Sequence, residues 1–285
     1  REPASEPRLP TPIPSKERRR EGCIMPTAYI TICSNPKMVC RKSATDKRNV
    51  YTLLGGYEIQ PKFVSVAGAD PRLMLCEPIC AYLLETHHGW VLLDAGLDPA
   101  NIEDLAKKQK YFTSLNMTPP IIRPAHNLEN QLAALGIRKE DIAWVILSHL
   151  HFDHCGYIKY LKNARISVQR KEYTSALSTS CPGYIQEDFN SDDIQWDFQD
   201  GDWQAFPGLN LITTFGHTPG HQSAIVTLPH SGPMILSFDT GDLQENFTAL
   251  RIPGSTTNAQ DAPLSIKRLN DLKTQPDAEL VLLHD

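Results

Sequence analysis

The chain has 285 residues, 41% hydrophobic and 21% charged, enough apolar side chain for one large domain or two small ones. Its net charge of −5 gives no general attraction for nucleic acid, and no run of about 18 apolar residues offers a membrane span. The cysteines (Cys23, Cys33, Cys40, Cys76, Cys80, Cys155 and Cys181) are odd in number and form no C-x-x-C pair. Reduced, mostly buried thiols are therefore expected, not a disulfide framework or a zinc finger.

Residues 1–26 are Pro-rich and hold the charged run Lys16-Glu17-Arg18-Arg19-Arg20-Glu21, which reads as a solvated, disordered tail. No apolar segment follows that would make a signal peptide, so a cytoplasmic location is expected. The chain opens on Arg1, which reads as a fragment with Met25 as a candidate start. An ordered domain is expected over 27–285, with Tyr29-Ile30-Thr31-Ile32 as its first strand-like run and a turn at Gly55-Gly56. Residues 80–85 and 90–93 read as a hairpin across His87-His88-Gly89, which leaves both histidines exposed in the turn. Asp94-Ala95-Gly96 closes the second strand.

Residues 99–110 read as a helix, 111–123 as a loop, and 126–135 as a helix started by His126 and stopped by Gly136. Trp144-Val145-Ile146-Leu147 is a short apolar run, the pattern of a buried strand. A strand at 165–168 and a helix at 171–178 come next. Residues 181–208 are turn-rich, and their aromatics Trp196, Phe198, Trp203 and Phe206 are assigned to core packing. Strands follow at 209–214, 224–228 and 234–238, with His230 exposed in the last connecting loop. Leu264, Ile266, Leu269 and Leu272 mark a helix over 262–273, and a final strand at 279–283 delivers His284.

The chemistry concentrates where the strand at 144 ends, in Ser148-His149-Leu150-His151-Phe152-Asp153-His154-Cys155-Gly156. In extended backbone, residues two apart share a side, so His149 and His151 can reach one ion together. Asp153 and His154 follow after a turn and can face a second ion beside it. Imidazole with carboxylate suits zinc, and also manganese, iron or cobalt. As ordinary core residues, each would need burial and separate satisfaction. Cys155 is not assigned as a nucleophile.

This H-x-H-x-D-H pattern resembles the metallo-β-lactamase-fold hydrolases. The same stretch is followed in order by Gly216-His217-Thr218-Pro219-Gly220-His221-Gln222-Ser223, by 239–247 and by His284-Asp285. Together these motifs are similar to those of the N-acyl homoserine lactone lactonases, over roughly 75–285. The resemblance implies an α/β protein, an αβ/βα four-layer sandwich of two mixed β-sheets with outer helices, and metal ligands at strand ends along one edge. It assigns His149, His151 and His221 to one ion, Asp153, His154 and His284 to the other, and Asp239 to the bridge. His217 then supports from behind, as does Asp94. Asp242 is the rival of Asp239 for the bridge.

One departure from the family stands out. The lactonases usually carry a tyrosine where Asp242 stands, with its hydroxyl on the lactone carbonyl, a role an ionised aspartate cannot copy. By the same resemblance, 50–63 helps wall the substrate pocket. The lactonases run on past His284, which again reads as truncation here. The implied cofactor is two Zn2+, with manganese, iron or cobalt as alternatives. The implied reaction is lactone hydrolysis by a hydroxide bridging the two ions, with Asp153 as the proton carrier. A glyoxalase II-like thioester hydrolase, or another ester hydrolase on the same fold, is the alternative. The expected partner is a small-molecule lactone, with no nucleic acid and no membrane; assembly as a homodimer is left open.

Overall fold

Side chains alternate along each central strand, and that alternation builds three apolar layers from two sheets. The structure is a computed structural model and describes residues 49–228 and 232–285. The expectations for the 1–26 tail, the 29–32 strand, the domain start at 27, Cys23, Cys33, Cys40 and His230 lie outside the described residues.

The first sheet runs in spatial order through β1 (Val50–Pro61), β2 (Met74–Thr86), β3 (Gly89–Leu93), β4 (Ile142–Ile146), β5 (Arg165–Gln169) and β6 (Gln195–Gln199). Its first three strands pair antiparallel and the rest parallel. The second sheet holds β7 (Trp203–Phe206), β8 (Leu209–Thr213), β9 (Gln222–Thr227), β10 (Pro233–Leu236) and β11 (Glu279–Val281). It is antiparallel except where β11 lies parallel to β10.

Successive residues of a strand point to opposite faces. Cys80, Tyr82 and Leu84 of β2, Val91 and Leu93 of β3, and Trp144 and Ile146 of β4 point inward. There they meet Leu209, Leu211, Ala224, Val226 and Leu236 of the second sheet. The intervening Ala81, Leu83, Leu92 and Val145 face the other way, onto Leu128 and Leu132 of the Leu128–Ala134 helix and Ala176 of the Arg170–Ser178 helix. Behind the second sheet, Ile212 and Ile235 pack on Ile266 and Leu269 of the Asp261–Lys273 helix. The result is the expected order of helix, sheet, sheet, helix.

Three local expectations are corrected. The 99–110 segment is two short helices, Ala100–Glu103 and Leu105–Tyr111, broken at Asp104. The Asp104 carboxylate caps the second by accepting from the amides of Ala106 and Lys107 at 2.8 and 3.0 Å. The turn-rich 181–208 stretch hides a helix, Gln186–Phe189, and two edge strands, β6 and β7. Its aromatics do pack against the core, as expected. In the Asp261–Lys273 helix, Leu264 is 66% exposed, and the buried stripe is Ala262, Ile266 and Leu269 instead.

His87 and His88 are exposed in the β2–β3 turn. Cys80 and Cys155 are buried, Cys181 is half-buried and Cys76 is exposed, all four free. Among the described residues no helix is long and apolar enough to cross a membrane.

Candidate metal centre

The ends of β4, β8, β10 and β11 place the polar residues on one edge of the sandwich. β4 ends at Ile146, and the chain bends at Ser148 before His149 and reaches His151 with extended backbone. At His151 it turns into the single helical turn Phe152–Cys155, which swings Asp153 and His154 to the far side. His217 enters from the loop between β8 and β9, Asp239 from a tight turn after β10, and His284 from the segment just past β11, after Leu282 and Leu283. Gly216 makes the His217 loop feasible: its φ is +136°, and a side chain there would collide with Ala262 of the last helix.

Two ligand sets form, and they share one carboxylate. The facing atoms of His149, His151, His217 and Asp239 all lie within 4.8 Å of one another, as do those of Asp153, His154, Asp239 and His284. Asp239 Oδ2 is 3.2 Å from His217 Nε2 and 3.8 Å from His149 Nε2. Its Oδ1 is 3.2 Å from His154 Nε2 and 3.3 Å from His284 Nε2. Asp153 Oδ2 lies 3.0 Å from His154 Nε2. His151 Nδ1 is 3.0 Å from His217 Nε2.

Supporting bonds fix the rings. Asp94, at φ +58°, accepts from the Ser148 amide at 2.7 Å through Oδ1 and lies 2.8 Å from His154 Nδ1 through Oδ2. A carboxylate placed in this way fixes the orientation of the imidazole in front of it. His284 Nδ1 donates to the Pro78 carbonyl at 2.9 Å, which turns Nε2 toward the cluster.

The electrostatics suit cations. Burial holds His149 and His217 well below the usual imidazole range and lowers His151 to about 4. Burial pulls His154 and His284 the same way, but Asp153, Asp239 and Asp94 outweigh it for His154, and Asp239 outweighs it for His284; both end well above that range. Nε2 of His149, in a ring that burial keeps neutral, faces the cluster without a hydrogen-bond partner. A buried acceptor without a donor is costly, and a cation at that set removes the cost. Three imidazoles with a carboxylate, and two imidazoles with two carboxylates, match divalent transition metals. The residues therefore fit two ions.

The assignment of His221 is corrected. It is fully buried, and both of its ring nitrogens are engaged away from the cluster. Nδ1 meets the Thr214 carbonyl at 3.1 Å, and Nε2 accepts the Asp239 amide at 3.2 Å. His217 takes the place beside His149 and His151. Thr214 Oγ1 contacts both His221 Nδ1 and Ser223 Oγ, at 2.9 and 2.8 Å, so His221 shares the face that Ser223 presents in β9. Its phase is set by the strand that follows, on the face opposite Ala224 and Val226, which point between the sheets.

Asp239, not Asp242, joins both sets. Asp242 is nonetheless buried nearby, and its Oδ1 has no hydrogen-bond partner. Burial and then Asp239 push its carboxyl well above the carboxylate range. Other carboxyls near the site carry no sequence signal: Glu77 and Glu172 are buried and Glu58 is half-buried. Glu58 and Glu77 face each other across β1 and β2, and burial followed by Asp153 raises Glu58 to about 8. Glu172 is fully buried beneath the histidine loops. Burial also drives the Cys155 thiol well up, against any nucleophilic role.

Similarity to known proteins agrees with this geometry. Residues 76–284 match the metallo-beta-lactamase superfamily. An N-acyl homoserine lactonase from a Bacillus species is 32% identical over 215 residues, 75% of this chain and 84% of that protein. N-acyl homoserine lactonase AttM from Azorhizobium caulinodans is 35% identical over 229 residues, 76% of this chain and 84% of that protein. A solved N-acyl homoserine lactone hydrolase, with N-hexanoyl-L-homoserine product at its catalytic metal centre, superposes with a TM-score of 0.75 at 28% identity. That match covers 83% of this chain and 92% of the other. With its ordered histidine motifs, its four-layer fold and its paired ligand sets, this chain belongs to the metallo-beta-lactamase superfamily and, within it, to the N-acyl homoserine lactonase family.

Proposed function

We propose that the protein hydrolyses N-acyl homoserine lactones at a pair of divalent cations, with zinc as the native metal. The observation that carries the reading is Asp239, whose two oxygens each face a different ligand set. His149, His151 and His217 would hold one ion, and Asp153, His154 and His284 the other. When bound, such a pair supplies Lewis-acid polarisation of the lactone carbonyl and activation of water at neutral pH.

The chain's own groups do the rest. Water adds to the carbonyl carbon, the ring C–O bond breaks, and the ring oxygen leaves as an alkoxide that must gain a proton. Asp153 lies at the edge of the cluster, and the adjacent imidazoles, His154 foremost, hold its carboxyl below the usual range against the effect of burial. It is the group assigned to take the proton from the attacking water and pass it to the leaving oxygen. Asp242 takes the place of the usual tyrosine. A carboxyl kept neutral by burial has an O–H to donate, so Asp242 can serve the substrate carbonyl as a phenol would.

The test is ring opening followed by proton release, on protein loaded with zinc and verified to hold two ions. The panel holds short and long acyl homoserine lactones, a plain γ-lactone and a glutathione thioester. Turnover of acyl lactones that disappears with chelator is expected. Preference for the thioester, or full lactone turnover by verified metal-free protein, would overturn the proposal.

A further inference from the structure

Glu172 lies in the first turn of the Arg170–Ser178 helix and is fully buried. It ligates nothing, yet its two oxygens collect hydrogen bonds from three separate chain segments. Oε1 accepts from the Leu150 amide at 3.1 Å and from the Tyr184 hydroxyl at 2.9 Å. Oε2 accepts from the Thr218 hydroxyl at 2.7 Å and from the Gly220 amide at 2.9 Å.

These donors are the residues around one ligand set. Leu150 lies between His149 and His151, and Thr218 directly follows His217. The Tyr184 ring packs edge-on against His151 with centroids 4.6 Å apart. Gly220 must be glycine for this approach, because a side chain there would run into the Glu172 backbone. None of the hydrogen bonds made by this carboxylate reaches Asp153, His154 or His284. Their support comes instead from Asp94 and Pro78.

We propose that Glu172 is a positioning residue that clamps the His149–His151 segment to the His217 turn, and so sets the metal affinity of that position alone. The inference rests on the reading of the two sets as metal sites. Its physical basis is the way outer hydrogen bonds orient ligands and tune a metal site. The clamp needs a carboxylate. The Thr218 and Tyr184 hydroxyls can rotate to accept from an amide, but the Leu150 and Gly220 N–H groups can only donate. A glutamine therefore leaves one backbone N–H facing an NH2 group, whichever way it is turned.

The test is titration with Co2+ and with Zn2+ of metal-free wild type, Glu172→Gln and Thr218→Val, following the cobalt d–d absorption and the thermal midpoint of each metal-free protein. Leu269→Ala, in the core behind the second sheet, is the control for destabilisation alone. Wild type is expected to bind two ions. Glu172→Gln should bind one with nearly wild-type affinity and the other about 10–100-fold more weakly, losing the absorption of the three-histidine position. Thr218→Val should move the same affinity in the same direction by less, and Leu269→Ala should move neither. Two unchanged affinities in Glu172→Gln, or an equal weakening of both that Leu269→Ala reproduces, would overturn the clamp while leaving the metal reading intact. A wild type that binds fewer than two ions would overturn both.

Discussion

Each histidine's role follows from what its second ring nitrogen touches. His284 has one nitrogen on a carbonyl and one in the cluster; His221 has both engaged elsewhere. His217→Ala should therefore lose one bound ion, as measured by metal analysis after gel filtration. His221→Ala should keep two and lose stability, by about 1–3 kcal/mol for the amide and hydroxyl it strands. At Asp242 the question is whether a neutral donor is needed. Asp242→Asn keeps an N–H donor in the same place and should retain most of kcat. Asp242→Ala should lose about tenfold, the worth of about 1.4 kcal/mol. Equal losses in both would show that the residue acts as an anion.

At the scale of elements, the central strands were read from short apolar runs, the mark of strands buried on both faces, whereas β1 was missed: the turn expected at Gly55-Gly56 is a bulge inside that strand. The Trp144–Leu147 run and the β2–β3 hairpin fall where expected. The edge strands β6 and β7 were missed because turn residues interrupt their apolar pattern: Gln195 and Gln199 bound β6, and Asp200-Gly201-Asp202 separates it from β7. The last helix was found, but its face was misjudged by one residue class. Ala262 counts little in a hydrophobicity pattern, yet with Ile266 and Leu269 it forms the stripe that the second sheet covers. Leu269→Ala should cost about 2–5 kcal/mol by denaturant unfolding, as a large-to-small core change does. Leu264→Ser, on the solvent side, should stay within about 0.5 kcal/mol.

Across the whole molecule, the metal edge couples stability to pH. His154 and His284 have folded-state values well above the unfolded one. Their contribution to the metal-free fold is complete below the unfolded imidazole value of about 6.5 and is lost as pH rises through their folded values. Glu58, raised to about 8, acts in the same direction. His151 and His221, lowered to about 4 and about 3, act oppositely and take stability away as pH falls below the unfolded value. Bound cations need deprotonated imidazoles, so loading expels protons and tightens as pH rises. The gap in thermal midpoint between loaded and metal-free protein should therefore widen from pH 6 to pH 8. At a free metal concentration of about 100 times Kd, each site adds about 2.7 kcal/mol. A chain of this size gains about 2–4 °C per kcal/mol, which differential scanning can read. A gap that narrows with rising pH would refute the assignment of His154 and His284 as ligands.

By itself the sequence determined the His149–His154 cluster and the order of the motifs, because these depend on local spacing and a strand end followed by a turn, and the fold class came with the family those motifs resemble. The tertiary structure decided which of His217 and His221 enters the cluster, since that depends on the face β9 presents to Thr214 and to the Asp239 amide. It also decided that Glu172, an unremarkable helix glutamate in sequence, lies under the histidine loops. The protonation of Asp242 and Glu58 belongs to the same class. Burial and the field of distant carboxyls set it, and neither exists until the sheets have packed.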